Sequence, residues 1–123
     1  KPVLLSIIEL GGYPDYTALY RDCGFEVVST DSVRKAVKLI RQHRPEVIVA
    51  EFNFQSDFRD RTSSLETLLS STQGISDARL IVFYEREYAE QYQRFLDRHD
   101  VHASLAFPIE EPALTDSLQR TVQ

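Results

Sequence analysis

Apolar and polar positions along the chain repeat one pattern five times. A short apolar run of strand length is followed by a stretch whose apolar residues return every three or four positions. The runs occupy 3–8, 25–28, 47–50 and 80–83, with a weaker one over 101–106. Val47, Ile48, Val49 and Ala50 are apolar without a break, as are Leu80, Ile81, Val82 and Phe83. A strand apolar at every position must be covered on both faces, which puts these two in the middle of a parallel sheet sandwiched between helices.

The intervening stretches predict helices. Tyr16, Leu19, Tyr20 and Cys23 follow the spacing i, i+3, i+4, i+7, and Gly24 stands where a glycine ends a helix. Val33, Ala36, Val37 and Ile40 repeat that spacing, with Asp31 or Ser32 as the N-cap and Pro45 as the stop. Leu65, Leu68 and Leu69 mark a third helix bounded by Gly74, and Tyr88, Tyr92, Phe95 and Leu96 a fourth. The fifth carries Pro112 in its first turn and Leu114, Leu118 and Val122 on one face. Strand and helix alternating in this way imply right-handed crossovers and a three-layer α/β domain with an open parallel sheet.

Length and charge narrow the function. The 123 residues suit one domain spanning 1–123. A net charge of −5 argues against direct contact with nucleic acid, which wants a basic stripe. No run approaches the roughly 20 apolar residues of a membrane span, so no membrane partner is expected. The N-terminus lacks the order of a signal peptide. A lone cysteine, Cys23, excludes an internal disulfide and suits a reducing compartment, so a cytoplasmic location is expected. The chain begins at Lys1 without Met and enters a strand at once, as the excised N-terminal part of a longer protein would.

In an open parallel sheet, ligands bind beyond the carboxyl ends of the strands. The residues there read as follows. Gly24-Phe25-Glu26-Val27 opens the second strand, Arg44 to Glu51 (RPEVIVAE) forms the third, and Leu105-Ala106-Phe107-Pro108-Ile109 ends the fifth. In order and spacing these segments resemble the receiver domains of bacterial response regulators, and the likeness extends over essentially the whole chain. It implies a flavodoxin-like (βα)5 fold with a five-stranded parallel sheet of order 2-1-3-4-5. It also implies a place in two-component signalling.

The resemblance carries a chemistry with it. A working receiver accepts a phosphoryl group on an Asp at the end of strand three. An acidic pair after strand one holds Mg²⁺, a Ser or Thr ends strand four, and a Lys ends strand five. Phosphoryl transfer to a carboxylate needs the cation to offset charge on the oxygens, and a hydroxyl and an ammonium to hold the product. Here the acceptor position matches Glu51, one methylene longer. The acidic pair falls on Ile7 and Ile8, with Glu9 one place late. The hydroxyl position falls on Tyr84, or on Phe83 if the register slips by one, and the lysine position is Phe107. Asn53 keeps the spacing of the residue whose carbonyl helps bind metal, and Ser104 replaces the strand-five aromatic of the usual switch. With the lysine and one or both metal ligands gone, developing negative charge has nothing to offset it in a partly desolvated pocket. The expectation is a pseudo-receiver with no catalytic residue, no bound metal and no cofactor.

Several residues carry a sharper and a plainer reading. Glu51 is either a permanent mimic of a phosphorylated Asp or a solvated acid at a strand end. Glu9 and Glu51 could share a divalent ion, but two carboxylates without a third ligand make a weak site. Gly11-Gly12 lacks any phosphate-loop signature and reads as a turn. Tyr88 and Tyr92, with Ser104, are candidates for a partner surface, since the resemblance implies dimer contacts on the helix 4–strand 5–helix 5 face. Their spacing equally suits packing on the sheet. His43, His99 and His102 have no ligand spacing, and Cys23 reads as a buried thiol. The charged run 57–61 reads as a loop beside the degenerate pocket, and Phe107-Pro108 as a cis peptide.

Three functions follow in order. The first is a non-catalytic signalling module acting by protein–protein contact, by homodimerisation or by restraining an attached or partner output domain. The second is a receiver still phosphorylated on Glu51 or Asp57. The third is a small-ligand-binding flavodoxin-like domain, with Phe52, Phe54, Tyr84 and Phe107 lining its pocket. The lack of any Ser–His, Cys–His or metal constellation argues against an enzyme.

Overall fold

A computed structural model describes residues 1–8, 12–52, 64–72 and 77–121. Five strands, β1 (Val3–Ile7), β2 (Glu26–Thr30), β3 (Val47–Glu51), β4 (Arg79–Tyr84) and β5 (Ala103–Ala106), pair in parallel in the order β2-β1-β3-β4-β5. Helices α1 (Thr17–Asp22), α2 (Val33–His43), α3 (Ser64–Thr72), α4 (Ala89–Leu96) and α5 (Glu111–Thr121) connect and follow them. The fold class, the strand order and the five-fold alternation are those read from the sequence.

The elements differ from their expected bounds where backbone pairing outruns hydrophobicity. β2 continues two polar residues past its apolar run because Ser29 and Thr30 still pair with Ser6 and Ile7 of β1. A 3-10 turn over Arg86–Tyr88 precedes α4, so Tyr88 stands just outside the α-helix. Of the two N-cap candidates for α2, Ser32 does the work: its Oγ accepts from the Lys35 N–H at 3.3 Å. That helix ends with Arg44 in the left-handed region, at φ 46°, directly before Pro45. Gly24 takes φ 95° after α1, a conformation that costs glycine no side-chain clash. Gly74 and Val122 lie outside the described residues.

Alternation along the central strands builds two cores. Val47 and Val49 of β3, with Ile81 and Phe83 of β4, pack under α1 and α5 against Tyr16, Tyr20, Leu114 and Leu118. Ile48 and Ala50, with Leu80 and Val82, pack under α2, α3 and α4 against Ile40, Leu68, Tyr92 and Phe95. Every residue of β3 is buried, as its unbroken apolar run requires.

One ionic contact joins α3 to the residues after α4. The carboxylate of Glu66, near the start of α3, receives the Arg98 guanidinium, and His99 Nε2 lies 3.5 Å from the same oxygen. Arg98 and His99 follow the C-cap of α4, Asp97, and the His99 ring rests 4.7 Å from that of Phe95. Phe95 is fully buried. Phe95→Ala is expected to cost roughly 3–5 kcal/mol, read as a lower midpoint in urea unfolding.

Candidate functional site

The carboxyl ends of the strands form the rim where the sequence places the site. β3 ends in Glu51, whose register partner on β4 is Phe83. Since side chains alternate along a strand, Glu51 follows Val47 and Val49 onto the face covered by α1 and α5. Glu51 is only 7% exposed, because the strand that carries it is enclosed along its whole length.

The other rim positions divide between the two faces. Ile7 is buried between Thr30 and Ala50 and packs on the α2 side, while Ile8 packs on the Glu51 side. Phe83, the alternative for the hydroxyl position, lies on Glu51's face. Tyr84 lies on the opposite one, where its ring stacks on Tyr92 at 4.4 Å and 19°. Phe107 is exposed, and its N–H donates to the Tyr84 carbonyl at 2.8 Å. The peptide between Phe107 and Pro108 is cis. Glu9, Asn53, Phe54 and the run 57–61 lie outside the described residues.

Tyr13 was not singled out by the sequence. Its ring lies 5.3 Å from Phe83 and meets Phe107 edge-on at 5.5 Å, so three aromatic side chains gather beside Glu51. Burial, then the negative charges of Glu51 and Glu85, push the Tyr13 phenol up to about 12. Tyr13 sits in an irregular stretch before α1, where periodicity carries no information. Only its aromatic character, close to two further tyrosines, signals it.

Of the interface candidates, Tyr92 is 2% exposed and belongs to the core. Its hydroxyl and the Ser104 Oγ share a hydrogen bond of 2.5 Å, which joins α4 to β5. Burial, outweighing that hydrogen bond, raises the Tyr92 phenol to about 12. Tyr88 is half-buried against the same core, and Ser104 remains exposed. Among the described residues no group of three His, Cys, Asp or Glu side chains could hold a metal ion. No helix among them is long and apolar enough to cross a membrane.

By sequence the chain matches no family profile and no curated protein. By structure it is similar to a response regulator receiver domain protein from Clostridium thermocellum, at TM-score 0.75 and 10% identity, covering 98% of this chain and 94% of that one. The N-terminal domain of an uncharacterized protein from Wolinella succinogenes gives TM-score 0.76 at 20% identity, over 99% and 94% of the two chains. The N-terminal signal receiver domain of a two-component response regulator from Bacteroides fragilis gives 0.70 at 16%, over 100% and 98%. The fold is that of receiver domains.

The raised phenol makes the site sensitive to alkali. Below pH 10.0 Tyr13 is protonated in both the folded and unfolded chain, so its contribution to stability is complete. Between 10.0 and about 12 only the folded chain keeps the proton, and that contribution is lost as the pH rises. Tyr92 adds a decline over the same window. Denaturant unfolding at stepped alkaline pH is expected to show this fall in stability. Tyr13→Phe should flatten part of it, and Glu51→Gln should lower the pH at which Tyr13 ionises. Identical profiles for all three proteins would refute the placement of Tyr13 beside Glu51.

Proposed function

We propose that this domain is a pseudo-receiver, a signalling module that acts through protein–protein contact and takes up no phosphoryl group on an aspartate. One observation carries the reading. The acid at the acceptor position, Glu51, ends a fully buried strand at 7% exposure, beside Phe83 and close to Tyr13.

The chemistry explains why that matters. Transfer of a phosphoryl group to a carboxylate adds negative charge, which a divalent cation and an ammonium must offset. Position 107, where a receiver has lysine, is Phe107, and the positions of its acidic pair are Ile7 and Ile8. Rings cannot replace those charges, and a site they dry out raises the cost of leaving them unbalanced.

The module's outputs are then contacts. The edge formed by α4, β5 and α5 offers the exposed Ser104 and the half-buried Tyr88 to a second copy, a protein partner or an attached output domain. We place the domain in the cytoplasm on its single, partly buried cysteine, Cys23.

Backbone amide NMR with and without Mg²⁺ and beryllofluoride, a mimic of the acyl phosphate, tests the reading. The amides of Ile8, Phe52, Tyr84 and Phe107 are expected to stay in place. Specific, saturable shifts at those amides would overturn it in favour of a receiver phosphorylated through an unusual acid.

A further inference from the structure

A second place on the rim lies towards the β2 edge. α1 contains only the six residues Thr17–Asp22, too few to cover the carboxyl ends of β1 and β2. What lies uncovered is polar: Ser6 and Ser29 are register partners on the face that a longer helix would bury. A cleft of about 760 Å³ occupies the space, between α1, these strand ends and the flank of α2. That volume falls within the range of small-molecule sites, roughly 300–1,000 Å³.

Its walls are chemically uneven. One is aromatic, made by Tyr13, Tyr16 and Tyr20. Tyr16 and Tyr20 are 8% and 3% exposed, yet among the described residues no protein group hydrogen-bonds to any of the three phenol oxygens. None of those oxygens is sealed from solvent either. The hydroxyls therefore open on the cleft, where they are free to meet the polar groups of a ligand in place of water. Burial raises the Tyr20 phenol far above its ordinary value and keeps it a proton donor.

The opposite wall is cationic. Lys35 and Lys38 project from α2, and with Lys1 they are the only lysines in a chain of net charge −5. Among the described residues neither forms an ion pair. Of the two carboxylates on the rim, Asp15 is held by the Thr17 N–H at 3.0 Å and the Thr17 hydroxyl at 2.6 Å. Asp31 is the other, and it stands at the start of α2, an eleven-residue helix whose N-terminal dipole favours an anion.

We infer that this cleft binds a small organic anion, a flat ring bearing a phosphate or carboxylate, with the ring against the tyrosines and the acid group at Lys35 and Lys38. Donors match the ligand on each side. Phenol and serine hydroxyls meet ring substituents, and two ammonium groups meet the acid. Tyr13 and Phe83 belong both to this cleft and to the aromatic group beside Glu51, so occupancy would be felt at the degenerate pocket. The cleft thus supplies an input to a domain that has no phosphorylation to receive. The inference stands apart from the pseudo-receiver reading, which beryllofluoride tests at Glu51.

Amide NMR titration with adenosine 5′-monophosphate and, separately, 4-hydroxybenzoate tests it, with adenosine and inorganic phosphate as the probes lacking charge or ring. At least one ring-bearing anion is expected to give saturable shifts at Ser6, Ser29, Thr30 and Lys35, more tightly than either control. Which of the two binds distinguishes the phosphate from the carboxylate. The Lys35→Gln/Lys38→Gln variant, altered only at exposed positions, should lose about tenfold or more in affinity, and Tyr20→Phe severalfold. The inference falls if neither anion saturates, if the shifts map elsewhere, if phosphate alone binds as well, or if the double lysine variant binds unchanged.

Discussion

β3 is hydrogen-bonded along both edges and covered on both faces, and the remaining elements are arranged around that enclosure. A buried strand must satisfy its backbone within the sheet and its side chains within two apolar layers. Valine and isoleucine do this at no cost over 47–49, but the strand ends in a carboxylate. The enclosure holds Glu51 at the margin of the interior, where its charge acts on neighbours with little screening by water. The Tyr13 phenol is raised first by its own burial and then by Glu51 and Glu85.

Aromatic side chains gather at the carboxyl ends of the strands on both faces of the sheet. Phe83, Tyr13 and Phe107 do so on one face. On the other, Tyr84 stacks on Tyr92, and the Tyr92 hydroxyl reaches Ser104. The strand-five aromatic expected by resemblance is thus absent from its own strand, yet a ring from α4 lies against β5.

Most of the architecture was legible because burial imposes period. The two unbroken apolar runs announced the central strands, and the i, i+3, i+4 spacing announced the helices. Polar strand residues such as Ser29 and Thr30 escaped, since an edge strand is defined by its backbone pairing. The site was legible in part. Glu51, Ile7, Ile8 and Phe107 stand at the carboxyl ends of the strands, where their positions in the sequence put them. Tyr13 was not legible, because a residue in an irregular stretch owes its place to tertiary contacts. The face on which Tyr84 points was equally hidden, since it depends on register at the last residue of β4.

The contact between Glu66, Arg98 and His99 has a mechanical side. It fastens the beginning of α3 to the end of α4 across 32 positions of sequence. Separating the two would take one cation from a carboxylate that is only 11% exposed at its side chain, so the contact opposes their drifting apart. A displacement at the end of α4 thus has a direct route to the start of α3, through side chains that are far apart in sequence.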